Sequence, residues 1–314
     1  MFILKCRMCL HEDTLELIHV IKKDDIIRKY REAFGIDTSE YVHENISLMR
    51  CQHCGALLYY PPAAGDTEFY KALQKNEWYY MDDKWEYHEA AHYLTKGGNV
   101  LEIGAGKGAF AKFVYPGGVS YTGLEYSPDA VKMAEANGVH IINELIEEHS
   151  RKHAGEYQTV CHFQVMEHID DLHSFLSSAV RCLSDDGSLL ISVPNADSYL
   201  SYLEDDILNM PPHHMSLWDN RALSGIANEF GLDLIHLSYE PLAKVHYDAY
   251  LNTLCRIGMG IPKQEIRFSK WPFMARVHRK LLLRLAGAVL YKAFEKEFMR
   301  PRGNSLLAVY RKIS

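Results

Sequence analysis

"NVLEIGAGKGAF", Asn99 to Phe110, is the stretch that decides the fold. An apolar run carries one carboxylate, Glu102, and then gives way to glycines at alternate positions, Gly104, Gly106 and Gly108. Glycine at such spacing lets the chain turn sharply and lets a ligand approach backbone. The spacing is GxGxG. It is neither the GxxxxGK[ST] of a Walker loop nor GxGxxG. Further on, "YTGLEYSPDA" places Glu125 at the end of a second predicted strand. A carboxylate there can accept both hydroxyl hydrogens of a ribose. The pair is common to dinucleotide and S-adenosylmethionine sites, and by itself it does not choose between them. A tight strand-to-helix turn with no ligand is the plainer alternative.

Outward from this turn the chain alternates short apolar strands with helical stretches, the pattern of a parallel α/β sheet. Strands are predicted at 99–103, 119–125, 139–143, 157–163, 187–193 and 232–239, and helices at 107–115, 128–137, 170–183 and 219–230. A last strand, "NSLLAVYRK", returns to the sheet. The expected class is α/β, doubly wound, with a mostly parallel seven-stranded Rossmann-like sheet. Four segments are expected: a zinc-ribbon domain over 1–62, read from the CxxC pairs Cys6 and Cys9, Cys51 and Cys54, a cofactor-binding domain over 63–245, a helical insertion or cap over 246–302, and the last strand over 303–314.

Of the 314 residues, 47% are apolar, enough for a sizeable core. The net charge of −7 argues against a nucleic-acid backbone as partner. "MFILKC" has no sustained apolar h-region, and no apolar run reaches the roughly 20 residues of a membrane span. A cytoplasmic protein is expected. Nothing in the sequence sets an oligomeric state.

The seven cysteines divide informatively. Cys6 and Cys9 form one CxxC, and Cys51 and Cys54 another; Cys161, Cys182 and Cys255 lie scattered among apolar neighbours. A CxxC places two thiolates on one tight turn, and two such turns supply the four soft ligands that zinc prefers. The alternatives are redox-active dithiols or thiols that merely pack. The long linker between the pairs calls for an inserted helix, "KDDIIRKYREAFG". Four thiolates leave no open position for catalysis, so the metal is expected to be structural.

The motifs that follow choose the cofactor. "CHFQVMEHIDDLHSFLSSAVRCLSDDGSLLISVPN" follows in order, with "QVMEHIDD" at the end of the fourth strand and "LSDDGSLLISVPN" as the turn into the fifth. With Glu102, the glycines and Glu125, this series resembles class I S-adenosylmethionine-dependent methyltransferases over about residues 76–240 and the final strand. It is most similar to small-molecule and sugar methyltransferases with an N-terminal zinc ribbon, and "PPHHMSLWDNRALSGIANEFG" looks like a motif of the same group. The resemblance implies S-adenosyl-L-methionine as cofactor, with Gly104, Gly106 and Gly108 against its methionine portion and Glu125 on its ribose. Tyr126 would cover the adenine, and Gln164 would lie beside the methyl-bearing sulfur. It also implies aromatic closure of the pocket from upstream, here Tyr79 and Tyr80, which could equally pack ribbon against sheet. Lys107 is expected to face solvent. A weak adenine contact is expected around Asn143 to Leu145.

Methyl transfer to oxygen or carbon needs a base near the acceptor. The candidates are Glu167, His168, His213 and His214. The competing reading for each histidine is a hydrogen-bonded structural group. Ubiquinone-pathway O-methyltransferases resemble "QVMEH" and bind magnesium through an acid three places before the Glu-His pair. Gln164 stands there in this chain, so magnesium is not expected.

The expected function is methyl transfer to a small-molecule acceptor, by O- or C-methylation of a sugar, glycan or natural-product intermediate. The alternatives are an RNA or protein methyltransferase and a non-catalytic scaffold. Residues 271–302 concentrate basic charge beside an apolar stripe at helical spacing, Met274, Val277, Leu281, Leu285 and Ala288. That segment is read as a helical cap, or as a peripheral contact with an anionic membrane or a phosphate- or lipid-linked acceptor.

Overall fold

A computed structural model describes residues 4–75, 82–199, 207–258, 287, 289–296 and 299–313. The chain divides into two compact units, residues 1–194, 207–238 and 307–314, and residues 195–206 and 239–306.

The first unit opens with β1 (Leu15–Ile21), α1 (Lys23–Phe34), β2 (Ile46–Cys51) and β3 (Leu57–Tyr60). The strands pair antiparallel, β1 with β2 and β2 with β3. α1 is the insertion the long linker required. Its Ile26 and Tyr30, four residues apart on one face, are fully buried, acids occupy its first turn, and left-handed Gly35 ends it.

Next come α2 (Thr67–Leu73), α3 (Trp85–Ala91), β4 (Asn99–Ile103), α4 (Ala111–Val114) and β5 (Ser120–Leu124). They are followed by α5 (Pro128–Ala136), β6 (Ile141–Ile142), α6 (Ile146–His149), β7 (Tyr157–Phe163), α7 (Leu172–Cys182) and β8 (Leu183–Pro194). β9 (Ser216–Leu217), α8 (Asn220–Phe230), β10 (Leu232–Pro241), α9 (Tyr247–Gly258) and β11 (Arg302–Lys312) complete the series. Seven strands form one sheet in the order β10-β11-β8-β7-β4-β5-β6. The pairs β4–β5, β4–β7, β5–β6 and β7–β8 are parallel. This is the mostly parallel, doubly wound sheet expected from the alternation.

β4, β7 and β8 are buried almost throughout, which is why they read as near-continuous apolar runs. Tyr87 of α3, Phe110, Phe163 and Leu190 pack together on the sheet. Burying each such side chain contributes about 1.5–3 kcal/mol. Side-chain caps from Asp66, Ser127, Asp171 and Asp219 start α2, α5, α7 and α8.

Two expectations are corrected here. The helix after the glycine turn covers only Ala111–Val114, because left-handed turns occupy the residues before it and Tyr115–Gly117 tighten into a 3-10 turn. β8 begins at Leu183 rather than 187, with a register shift opposite Tyr157 and Thr159 that absorbs the "SDDG" stretch.

In the second unit Tyr199, Leu242, Tyr247 and Phe294 form a small core. Tyr79 and Tyr80, and the apolar stripe from Met274 to Ala288, lie outside the described residues. Among the described residues no helix is long and apolar enough to cross a membrane.

Candidate active site

Parallel pairing brings the carboxyl ends of β4, β5 and β7 to one edge of the sheet, the usual ligand crevice of such folds. The glycine turn leaves β4 there with Gly104, Gly106 and Gly108 all left-handed, at φ 71°, 54° and 78°. At Gly104 the need is steric as well. A Cβ there would lie 2.5 Å from Val165 Cγ2, so the turn presses against the exit of β7. Gly104 and Ala105 both donate their N–H to Leu124 O, which pins the turn to β5.

Glu125 stands beside this turn. One of its carboxylate oxygens accepts from Gly106 N–H at 2.9 Å and the other from Ser127 N–H at 2.7 Å. Each oxygen keeps a second lone pair, the capacity that a ribose diol needs. Asn143 donates to the backbone oxygens of Glu125 and Tyr126 at 2.7 and 2.9 Å. Its role is to hold the loop that presents them. Tyr126 is 70% exposed, so its ring is open to a ligand.

Glu102 is buried and accepts from Tyr121 O–H at 2.5 Å. Burial pushes its carboxyl up to about 8, so at neutral pH it is largely protonated. Lys107 is not turned to solvent as expected. Its side chain is 17% exposed, and its ammonium pairs with Asp82 at 2.7 Å. Lys112 donates to Asp82 O at 2.6 Å, so two lysines fasten that segment to the turn.

Beyond β7, Gln164 takes a left-handed φ of 57°. Strain of this kind costs on the order of 1–2 kcal/mol in a residue with a side chain. Gln164 N–H donates to Ser192 O, and its amide reaches Ser192 Oγ at 3.2 Å and Glu86 at 3.4 Å. The chain then makes one 3-10 turn at Met166–His168. Glu167 is 1% exposed and its Oε2 has no hydrogen-bond partner. Burial pushes its carboxyl up to about 8.

The structure gathers His168, His213 and His214, which the sequence separates. The ring centroids of His168 lie 4.7 Å from His213 and 4.8 Å from His214, and His213 stacks on His214 at 4.4 Å. His168 Nδ1 lies 2.7 Å from His213 O, His213 Nδ1 2.9 Å from Leu208 O, and His214 Nδ1 3.1 Å from Asn209 Oδ1. A carbonyl oxygen only accepts, which assigns the ring proton to Nδ1 in all three. Burial holds His168 down to about 4 and His213 to about 3, and His214 well below the ordinary histidine range. All three are neutral at pH 7. Tyr70 of α2, which no sequence pattern singles out, has its hydroxyl 3.2 Å from His168 Nδ1 and donates to His213 O at 3.3 Å.

The segment carrying His213 and His214 is braced by the N-terminal strands. β9, just beyond it, pairs antiparallel with β3, so the smaller sheet runs β1-β2-β3-β9. Met215 N–H donates to Glu167 O at 2.7 Å. Arg7, between the first two cysteines, pairs with Asp170 at 2.5 Å and donates to Tyr59 O and Met215 O.

Cys6, Cys9, Cys51 and Cys54 converge, with no disulfide among them and with all four sulfurs within 4.8 Å of one another. Cys6 and Cys54 sulfurs are 3.6 Å apart, and those of Cys9 and Cys51 3.7 Å. A tetrahedral zinc with Zn–S near 2.3 Å requires sulfurs roughly 3.8 Å apart. The knuckles match in backbone: Leu10 N–H donates to Cys6 O and Gly55 N–H to Cys51 O, with both residues left-handed. The residues present fit such an ion.

The "Methyltransferase domain" family model matches residues 74–237. "Ubiquinone biosynthesis O-methyltransferase" of Escherichia coli O9:H4 (strain HS) is 27% identical over 176 residues, 52% of this chain and 72% of that protein. The protein of the same name from Shigella boydii serotype 18 matches with the same identity and coverage. The crystal structure of a SAM dependent methyltransferase from Archaeoglobus fulgidus aligns with a TM-score of 0.50 at 16% identity, covering 79% of this chain and 100% of that one. That last likeness is one of fold. With the glycine turn, the strand-end acid and the β7 exit assembled on one sheet edge, the chain belongs to the methyltransferase-domain family and is an S-adenosylmethionine-dependent methyltransferase.

Proposed function

We propose that the chain methylates an oxygen or carbon of a small molecule, a sugar, glycan or natural-product intermediate, and that His168, His213 and His214 line the acceptor side of the site. The observation that carries this reading is the close approach of the β7 exit to the glycine turn, Val165 against Gly104, three residues before His168. S-adenosylmethionine supplies an electrophilic methyl group on a sulfonium. Glu125 accepts the ribose hydroxyl hydrogens, and the glycine turn holds the methionine portion against backbone. The acceptor hydroxyl or carbon must lose its proton as it attacks, and a neutral imidazole nitrogen beside it can take that proton. Gln164 and Glu167, fixed by their hydrogen bonds and burial, shape the wall between the two substrates. The O-methyltransferases of similar sequence support an oxygen acceptor.

We also propose a structural zinc on Cys6, Cys9, Cys51 and Cys54, supported by the sulfur spacing and the matched knuckles. The basic stretch 271–302 fits a phosphate- or lipid-linked acceptor, or peripheral contact with an anionic membrane.

The test is transfer of labelled methyl from S-adenosylmethionine to separate pools of phenols and nucleotide sugars, of RNA, and of protein. Label in the small-molecule pools supports the proposal. Label only in RNA or protein replaces it with the macromolecular alternative. No transfer to any pool by protein that binds S-adenosylmethionine favours the scaffold reading.

A further inference from the structure

We infer that Arg7 is a positioning residue for methyl transfer, and that zinc on the four cysteines acts through Arg7 and Arg50 as a clasp that sets the spacing of His168 from His213 and His214. The inference rests on both readings above, the knuckle zinc and the acceptor-side histidines. Its ground is the element that each knuckle grips.

The first knuckle grips the chain beyond β7. Arg7 lies between Cys6 and Cys9, and its side chain is 13% exposed. Its Nη1 donates to Asp170 O at 3.1 Å and to Asp170 Oδ1 at 2.5 Å, two residues after His168. The knuckle backbone holds the same stretch: His173 N–H donates to Arg7 O at 3.0 Å, and His173 Nδ1 lies 2.9 Å from Met8 O. The other arm of the guanidinium, Nη2, donates to Tyr59 O at 3.0 Å and to Met215 O at 2.9 Å. Met215 directly follows His214. One guanidinium therefore touches both chain segments that carry the histidines. The second knuckle grips the start of α8. Arg50, the residue before Cys51, donates to Gly55 O at 2.9 Å and pairs with Asp219 Oδ2 at 2.6 Å. Asp219 Oδ1 in turn caps α8 at Ala222 N–H, at 2.8 Å.

Each knuckle is thus bonded to the element that leaves the histidine cluster on its own side, α7 after His168 and α8 after His214. A tetrahedral metal joins the knuckles through two thiolates from each. A buried ion pair adds little to stability over apolar packing, so what Arg7 supplies is the register between the two segments. The cofactor side is fastened differently. Gly104 and Ala105 bond to Leu124 O, and Glu125 bonds to Gly106 and Ser127. Loss of the clasp therefore loosens the acceptor side and leaves the cofactor side in place. By linkage, a bound acceptor must also slow the loss of zinc.

The experiment is hydrogen exchange of full-length protein, read by mass spectrometry. Zinc-loaded wild type is compared with wild type stripped by a chelator under reducing conditions and with Arg7→Ala that retains its zinc. The expected result is exchange faster by about 10-fold in peptides over 164–173 and 208–217, with peptides over 99–127 within about 2-fold and S-adenosylhomocysteine affinity unchanged in calorimetry. Arg7→Lys keeps the charge at Asp170 without the fork and should give a smaller rise in the same peptides, which serves if Arg7→Ala fails to fold. With phenol or nucleotide-sugar pools as acceptor, the half-saturating acceptor concentration should rise and that of S-adenosylmethionine should not. Unchanged exchange over 164–173 and 208–217 overturns the clasp. So does a rise spread equally over 99–127 with loss of S-adenosylhomocysteine affinity, the mark of a staple for the whole fold. If exchange rises locally but His213→Ala and His214→Ala methylate the pools at wild-type rates, the clasp stands and the acceptor reading fails. If those variants lose methylation while stripped protein keeps wild-type exchange, the acceptor reading stands and the clasp fails.

Discussion

Gly225 in α8 gives the sharpest test of how the four-cysteine centre is held. A Cβ at this position would lie 1.8 Å from Cys54 O and 2.8 Å from Cys54 C, both backbone atoms. Ordinary contact between such atoms is above 3 Å, so Gly225→Ala forces the helix and the knuckle apart by more than 1 Å. The knuckle resists, because Cys54 shares its tight turn with Cys51 and the next residue, Gly55, sits against Arg221 of the same helix. Overpacking of this kind costs typically 1–3 kcal/mol. Against it, alanine is the better helix former by about 1 kcal/mol. The net expectation is a loss of up to about 2 kcal/mol, read as a lower urea midpoint, together with faster release of the proposed knuckle zinc to a chelator. Ser224→Ala, one residue away on an exposed position, should stay within about 0.5 kcal/mol of wild type. The two effects at Gly225 have opposite signs, and this makes the result decisive. A stabilised Gly225→Ala with unchanged metal release would show that α8 does not press on the knuckle, and the packing argument would be wrong.

Three further outcomes follow from the same geometry. Glu125→Ala should weaken S-adenosylmethionine binding by about 1.5–3 kcal/mol, the scale of hydrogen bonds to a charged group, and calorimetry with unchanged affinity would remove Glu125 from the site. Purified protein should carry zinc on Cys6, Cys9, Cys51 and Cys54; elemental analysis without zinc, and four thiols freely reactive with a thiol reagent, would refute this. Glu102 is raised by burial to about 8, above its unfolded value near 4.5, so the stability it contributes is complete below about pH 4.5 and lost as pH rises through about 8. Glu102→Gln should therefore flatten the decline of stability between pH 6 and 8 by about 1.4 kcal/mol per pH unit, and parallel pH profiles for variant and wild type would contradict the assignment.

Much of the sheet was legible because fully buried parallel strands announce themselves as apolar runs. β4 and β7 fall on the residues expected, 99–103 and 157–163. The glycine turn and Glu125 were legible because strand-end chemistry needs particular residue types at fixed spacing. Contacts between distant segments were not. His168, His213 and His214 were all candidates for the acceptor side, but nothing in their residue types gives the contact itself, His168 Nδ1 at 2.7 Å from His213 O. β9 is only two residues long and has no alternation to read, yet it completes the N-terminal sheet. Lys107 looked like a solvent-facing turn residue, because the acid that buries it, Asp82, belongs to a segment with no periodicity. Asn143 carries no plain adenine-binding signature, and its side-chain bonds to the backbone oxygens of Glu125 and Tyr126 have no sequence mark either.

The pairing of β3 with β9 also sets an order of events during synthesis. The four cysteines and β3 leave the ribosome first, and Ser216 and Leu217 follow about 160 residues later. At roughly 5–20 residues per second, that interval lasts on the order of ten to thirty seconds. Throughout it, β3 has an open edge, and Leu57, Leu58, Tyr59 and Tyr60, all buried in the finished protein, lack part of their cover. An uncovered apolar strand edge is a template for pairing with another chain. The nascent chain is therefore most vulnerable to aggregation before the "PPHHMSLWD" segment emerges. Ribosomes stalled between residues 100 and 200 should display an N-terminal segment that recruits chaperones, and those stalled well past Leu217 should not.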